Sequence, residues 1–236
     1  MVPYSFTQLQ MYSKCPRKYR YRYLEKTPKF ATEETQLERG IKYHEEIAKK
    51  ISSGTPIKDI MSDVGEKAKK TLETLEPVGI IKYNQWIERK VMFDESFLPT
   101  EDYNQAYFLG YCDYARHFST KDGQHTLQVF DWKTGQTRGE RKQITVYAAY
   151  FKTIVEKDLA KTDIRQQTPP IDIRGIFYYP DLKSISRFVI NDQYIEKTFS
   201  EIKKDIEVIQ NDDKFPQMRS KLCEYCVYQP ICVTDL

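Results

Sequence analysis

Two charged residues stand two positions apart in the run Val129-Phe130-Asp131-Trp132-Lys133-Thr134-Gly135. In a strand, that spacing puts both side chains on one face. A carboxylate beside an ammonium at a strand end can act as a metal ligand and an electrostatic catalyst, or can be a surface ion pair. Upstream, Asp122-Gly123 is a hairpin turn signal between two β-forming runs. A hairpin centred there sets position 113 opposite about position 132, so Asp113 falls within a residue of register of Asp131 and Lys133. Two carboxylates brought that close repel unless a cation or a proton compensates them. Lys133 offsets only one. Hard divalent cations held by carboxylate oxygens would meet the need.

The elements that must position these residues follow from the pattern of the chain. Ser5 and Gln8 make a capping box for a helix over 5–14 with Phe6, Leu9 and Tyr12 on its apolar stripe. A second helix starts at Pro16 and continues from Lys18 to Leu24. Leu37, Ile41, His44, Ile47 and Ile51 recur at steps of three and four over 35–53, which places His44 on the apolar side of a helix. A histidine there is either a hydrogen-bonded core residue or a ligand. A further helix is expected from Ile57 to Leu75, ending before Pro77. Strands are expected at Trp86 to Phe93, Tyr107 to Phe118, Thr126 to Lys133, Ile173 to Tyr179 and Ser184 to Ile190. Between them, Ile144, Ala148, Phe151 and Val155 stripe a helix over 140–159, and Gln143 and Tyr147 share a second face of it. Ile195 to Ile209 mark a long amphipathic helix, and Thr168-Pro169-Pro170 sit in a loop over 164–172. Helices lead, then strands alternate with helices. The expected fold is α/β, a central mixed sheet flanked by helices.

Composition narrows the partners. The 236 residues are 40% hydrophobic and 14% aromatic, enough for a substantial core. A net charge of +3 is too small to indicate nucleic acid by itself, but residues 14–26 interleave six basic residues with three tyrosines. Arg17, Lys18, Tyr19, Arg20 and Arg22 suit a phosphate backbone and unstacked bases, or equally a solvated helix face with its tyrosines packed inward. No apolar run is long enough to span a membrane and no signal-peptide core is visible, so a cytoplasmic protein is expected, in host cytoplasm if viral. In that reducing setting, five cysteines read as metal ligands or free thiols. Cys223 and Cys226 form a Cys-x2-Cys pair, Cys232 follows, and Cys15 is the residue that would complete a four-ligand site if the two ends of the chain meet. Cys112 precedes Asp113 on a strand and reads as a core thiol.

Together these features resemble the RecB-like nucleases of the PD-(D/E)XK superfamily, in the branch that carries an iron–sulfur cluster and includes AddB-type nuclease domains and CRISPR-associated adaptation exonucleases. The resemblance rests on Ser5-Phe6-Thr7-Gln8-Leu9 with Tyr12, Cys15-Pro16, Tyr19 and Tyr23. It continues through Gly40 with His44, Glu88, Gly110 with Asp113, Asp131-Trp132-Lys133-Thr134-Gly135, Gln143 with Tyr147, and the C-terminal cysteines. Cys112 stands where the superfamily's name has a proline.

The resemblance implies one nuclease domain over 1–236, with a helical part over 1–80, a restriction-endonuclease-like core over 81–212 and a cysteine segment over 213–236 packed on Cys15. It implies Mg²⁺ or Mn²⁺ on His44, Asp113, Asp131 and the Trp132 carbonyl, with Lys133 polarising the attacking water and Gln143 and Tyr147 in support. Imidazole suits Mn²⁺ better than Mg²⁺. It implies a [4Fe–4S] cluster, rather than zinc, on Cys15, Cys223, Cys226 and Cys232. The implied activity is DNA hydrolysis, most naturally by an exonuclease on single strands or ends, in recombination, repair, replication or CRISPR adaptation. No Gly-x4-Gly-Lys-Ser/Thr phosphate loop is present, so a helicase would be a separate partner. Two other readings compete: a non-catalytic DNA-binding scaffold on the same fold, and an iron–sulfur redox protein.

Overall fold

In a computed structural model, the structure describes residues 2–30, 34–75, 78–134, 139–162 and 169–232. Gly135 and the first residues of the 164–172 loop lie outside them. The sheet has five strands in sequence order: β1 (Ile80–Phe93), β2 (Phe108–Thr120), β3 (His125–Trp132), β4 (Ile171–Tyr179) and β5 (Ser184–Ile190). Neighbours run antiparallel except β3 and β4, which are parallel. A parallel pair needs a crossover, and α6 (Arg141–Thr162) supplies it. The sheet is therefore mixed and flanked by helices, as expected.

Each face carries its own core. On one side pack α1 (Phe6–Lys14), α6 and α7 (Asp192–Gln210), with Ile144, Ala148, Phe151, Ile202 and Ile206 buried against Leu127, Val129 and Ile173. On the other pack α3 (Glu34–Ser52), α4 (Ile57–Ile60) and α5 (Glu66–Glu73), with Ile47, Ile51 and Leu72 against Tyr114, Phe130 and Trp132. The alternation along β3 sorts the two: Leu127 and Val129 face α6, and Phe130 and Trp132 face α3.

Several expectations need correction. The helix over 57–75 is two short helices, because Gly65 leaves the helical path to donate its N–H to the Lys183 carbonyl (2.8 Å). Ser5 does cap α1, accepting from the Gln8 N–H, but the Gln8 side chain donates to the Pro3 carbonyl instead of closing the capping box. Ile41 is 51% exposed, so the buried stripe of α3 runs through Tyr43, Ile47 and Ile51.

The two ends of the chain meet. A short helix α2 (Pro16–Tyr19) continues as a π-helical turn over Arg20–Leu24, and this basic stretch lies against the C-terminal segment. Arg17 donates its N–H to the Pro216 carbonyl (3.3 Å) and its Nε to Phe215 O (3.0 Å). Tyr12 Oη donates to Asp212 (2.6 Å), and Tyr21 packs on Val227 and Tyr228.

Candidate active site

Asp113 and Asp131 come together on β2 and β3. The hairpin pairs Tyr114 with Phe130, so Asp113 falls opposite 131, one residue from the expected 132. Both carboxylates are buried, Asp131 at 2% exposure and Asp113 at 7%. Asp113 Oδ2 accepts the Trp132 N–H at 2.7 Å, tying the two strands together at the site.

A break in strand alternation brings the acidic residues out of the sheet. Along β2, Phe108, Cys112 and Ala115 all face the α6 core, while Tyr114 faces the other. Along β1, Trp86 packs on the α6 core and so do Val91 and Phe93, which strict alternation forbids. The register holds on both sides, Ile87 to Tyr114 and Arg89 to Cys112, with Glu88 and Asp113 left unpaired between. Glu88 has φ +46°, a left-handed conformation costly for a residue with a side chain. The two strands thus flip together at Glu88 and Asp113. Residue types along the strands carry no sign of this, and only the motif match pointed to Glu88. Among the described residues, His44, Glu88 and Asp113 form a group whose ligand atoms lie within 4.8 Å of one another.

His44 reaches the group from α3. Its Nε2 lies 3.1 Å from the Trp132 carbonyl and its Nδ1 3.2 Å from Asp113 Oδ1. A carbonyl and a carboxylate both accept, so an imidazolium would satisfy both contacts. Burial opposes that charge, but Asp113, Glu88 and Asp131 outweigh it and raise the pKa. The Trp132 ring lies in the core on the α3 side of the sheet. Asp131 is nearest to Lys133 Nζ (2.7 Å). Burial and then Asp113 push the Asp131 carboxyl up to about 7, despite the pull of Lys133. Glu88 is raised by burial and by Asp113. Lys133 loses some basicity to burial but gains more from Asp131, and its pKa rises.

Lys133 is held from α6. Its Nζ donates to Gln143 Oε1 (3.3 Å), and Gln143 Nε2 donates to Tyr147 Oη (2.9 Å). The Tyr147 ring fills the space over Gly110, where a Cβ would sit 2.6 Å from Cε1 and 2.9 Å from the hydroxyl. Burial lifts the Tyr147 hydroxyl well above its ordinary pKa, so it stays protonated. Gly40 lets α3 come close to Thr134, whose Oγ1 would lie 3.3 Å from a Cβ added at residue 40.

Glu88, Asp113 and His44 thus converge, with the Trp132 carbonyl beside the imidazole and Asp131 beside Lys133. That donor set fits a hard divalent cation, which would offset the repulsion of the carboxylates.

The other predicted residues fall elsewhere. Cys15, Cys226 and Cys223 lie near enough to Cys232 to help burial raise its thiol pKa. Two sulfurs already accept hydrogen bonds, Cys223 from the Ser220 N–H (3.3 Å) and Cys232 from Gln217 Nε2 (3.2 Å). Cys112 is fully buried in the α6 core. Tyr19 is 3% exposed, stacked on Phe215 and edge-on to Tyr12, so its ring is unavailable to a base. Arg17, Lys18, Arg20 and Arg22 remain partly exposed around it, with Arg20 paired to Glu25 and Arg22 over the Tyr23 ring.

Residues 3–233 match the family described as the PD-(D/E)XK nuclease superfamily. The chain belongs to the PD-(D/E)XK nuclease superfamily. The mixed sheet flanked by helices is consistent with that superfamily's fold, and membership implies metal-dependent hydrolysis of DNA. Nucleases of this superfamily use divalent metals, and the cluster of His44, Glu88 and Asp113 is a candidate site for one. The crystal structure of SSO0001 is similar at 15% identity with a TM-score of 0.45, over 100% of this chain and 88% of that one. No curated protein matches the chain significantly. No helix among the described residues is long and apolar enough to cross a membrane.

Proposed function

We propose that this PD-(D/E)XK nuclease is an exonuclease acting on single-stranded DNA or DNA ends, with Mg²⁺ or Mn²⁺ held by His44, Asp113, Asp131 and the Trp132 carbonyl. The observation that carries the reading is the meeting of buried Asp113 and Asp131 with His44 and Lys133 at one end of the β2–β3 hairpin. Glu88 joins the same ligand set. The metal would supply charge neutralisation at the scissile phosphate and acidify a water. Lys133 Nζ, oriented through Gln143 and Tyr147, adds a fixed positive charge where negative charge develops. His44 and Asp131 would bind the metal in their deprotonated forms, and Asp113 keeps Trp132 in register.

The same reading places the chain in the RecB-like branch, with one nuclease domain divided as 1–80, 81–212 and 213–236. Cys15, Cys223, Cys226 and Cys232 would hold a [4Fe–4S] cluster that staples the basic N-terminal turn to the C-terminal segment. The contacts of Arg17 and Tyr21 with that segment support the staple. Arg17, Lys18, Arg20 and Arg22 would flank the DNA. A separate helicase or a recombination or CRISPR adaptation protein would deliver the substrate in the cytoplasm. Against a non-catalytic scaffold stands the complete set of Asp113, Asp131 and Lys133.

Digestion of end-labelled single- and double-stranded DNA with and without Mn²⁺ tests the activity. Stepwise loss of label from single strands, only with metal, is expected; internal cuts with intact ends would overturn the exonuclease. An anaerobic absorbance spectrum tests the cluster, since a broad visible band is expected and zinc gives none.

A further inference from the structure

One residue outside the proposed ligand set reaches both halves of the candidate site. Tyr178 lies on β4 beside Trp132, in parallel register, with the two rings edge-on. Its main-chain carbonyl accepts the Lys133 N–H (2.9 Å), which fixes the backbone of the lysine. Its side chain is 1% exposed and runs into the core on the α3 side of the sheet. There the hydroxyl donates to Asp63 Oδ1, and it also hydrogen-bonds with the Tyr43 hydroxyl. Tyr43 immediately precedes His44 on α3. Asp63 sits in the link between α4 and α5, and that link is tied to the β4–β5 corner by the Gly65 N–H on the Lys183 carbonyl (2.8 Å).

The linked phenols supply a hold on α3 that packing does not. His44 itself contacts the Trp132 carbonyl and Asp113. Both are groups a bound metal would engage, so neither holds the helix once the site is loaded. Successive helix positions are about 100° apart, so a hold on Tyr43 sets the rotation of α3 and with it the direction of His44. At a side-chain radius of about 5–6 Å, a turn of about 10° carries the imidazole by about 1 Å. Metal–ligand distances tolerate only about 0.2 Å. The apolar contacts of Ile47 and Ile51 are non-directional and resist such a turn weakly, whereas a hydrogen bond breaks under it.

We infer that Tyr178 is a positioning residue for both sides of the site: its carbonyl places Lys133, and its hydroxyl, through Tyr43, places His44 toward the metal. Asp63 completes the arrangement as the acceptor that keeps the Tyr178 hydroxyl in place. The inference rests on the reading of His44 as a metal ligand with Lys133 acting beside it. Tyr178 acts through its neighbours, since its side chain lies in the core. A phenylalanine at 178 would fill the same space and keep the Lys133 hydrogen bond, but would release α3.

Tyr178→Phe and Tyr43→Phe each remove one hydroxyl and keep both rings and the main chain. Mn²⁺ affinity is measured by electron paramagnetic resonance of the free ion, without DNA, alongside thermal unfolding. Each variant should raise the Mn²⁺ Kd by about tenfold, the lower end of the loss on removing a group that orients a metal ligand. The double variant should lose no more than either single one, because both break the same link. In a His44→Ala background, neither substitution should change the Kd further. A lowered melting temperature with the Mn²⁺ Kd unchanged would mean that the phenols serve the core alone, and overturns the inference. An equal loss of affinity with and without His44 overturns it too. A wild type that binds no Mn²⁺ overturns the metal assignment and the inference together. The expected affinity changes in a protein that cuts no DNA count against the nuclease reading alone. If Tyr178→Phe does not fold, Tyr43→Phe, at a half-buried position, carries the test.

Discussion

Gly110→Ala is the substitution in which structure and chemistry are most tightly joined. The added methyl would lie 2.6 Å from Tyr147 Cε1, 2.9 Å from Oη and 3.2 Å from Cζ. Ordinary carbon contacts are about 3.5–4.0 Å, so the ring must retreat by about 1 Å. Tyr147 is buried in the α6 core with no slack to absorb that, and overpacking of this kind costs about 1–3 kcal/mol. For a chain of this size, the melting temperature should fall by about 2–12 °C. The displacement also passes along the hydrogen bonds from Tyr147 to Gln143 and on to Lys133. Lys133 is read as acting on the developing charge, so kcat should fall more than KM rises. The assay is a double-mutant cycle with Tyr147→Ala, followed by thermal unfolding and by metal-dependent cleavage. Once the ring is gone, Gly110→Ala should cost little on either measure. Equal losses in both backgrounds would refute the steric argument, because the effect would then lie in the strand and not in Tyr147.

Two further outcomes follow from the charges and a third from the cysteines. Asp131 titrates at about 7 without metal, so a cation must displace its proton below that pH; the rise in melting temperature on adding Mn²⁺ should grow from pH 6 to pH 8, and a pH-independent rise would contradict the ligand assignment. His117, far along β2 from the site, is held down to about 4 by burial and by His125, so the folded state resists a proton that the unfolded state takes at 6.5. Stability should be full above about 6.5 and fall by about 3 kcal/mol as pH drops to 4, a loss that His117→Phe removes in acid-unfolding curves. Cys232→Ser should lower the melting temperature and abolish any visible absorbance together, whereas Cys112→Ser should leave the absorbance intact, since Cys112 lies in the α6 core.

Local signals carried much of this fold. The Asp122-Gly123 turn and the alternation of β3 placed Asp113 beside Asp131 to within one residue, because hairpin register is set by the turn itself. The stripe of α6 and the span of β5 were equally legible, each being a matter of local periodicity. What escaped the pattern depends on contacts distant in sequence. Tyr19 was offered as a base-stacking residue and is instead core, because Phe215 from the other end of the chain covers it. Ile41 read as core and is half exposed, because the face it shares with His44 turns toward the site. The joint flip at Glu88 and Asp113 needs both strands to be seen at once, since each strand alone reads as regular.

The central claim is that Asp131 and Lys133 work on one metal-bound phosphodiester. Cleavage of labelled single-stranded DNA by purified Asp131→Ala and Lys133→Ala, with folding verified and Mn²⁺ binding measured in parallel, tests it most directly. The account predicts that both variants lose cleavage, by at least about a hundredfold for Lys133→Ala as expected on removing a group that stabilises developing charge. It predicts further that only Asp131→Ala loses metal affinity. Metal-dependent cleavage retained in both folded variants would contradict it.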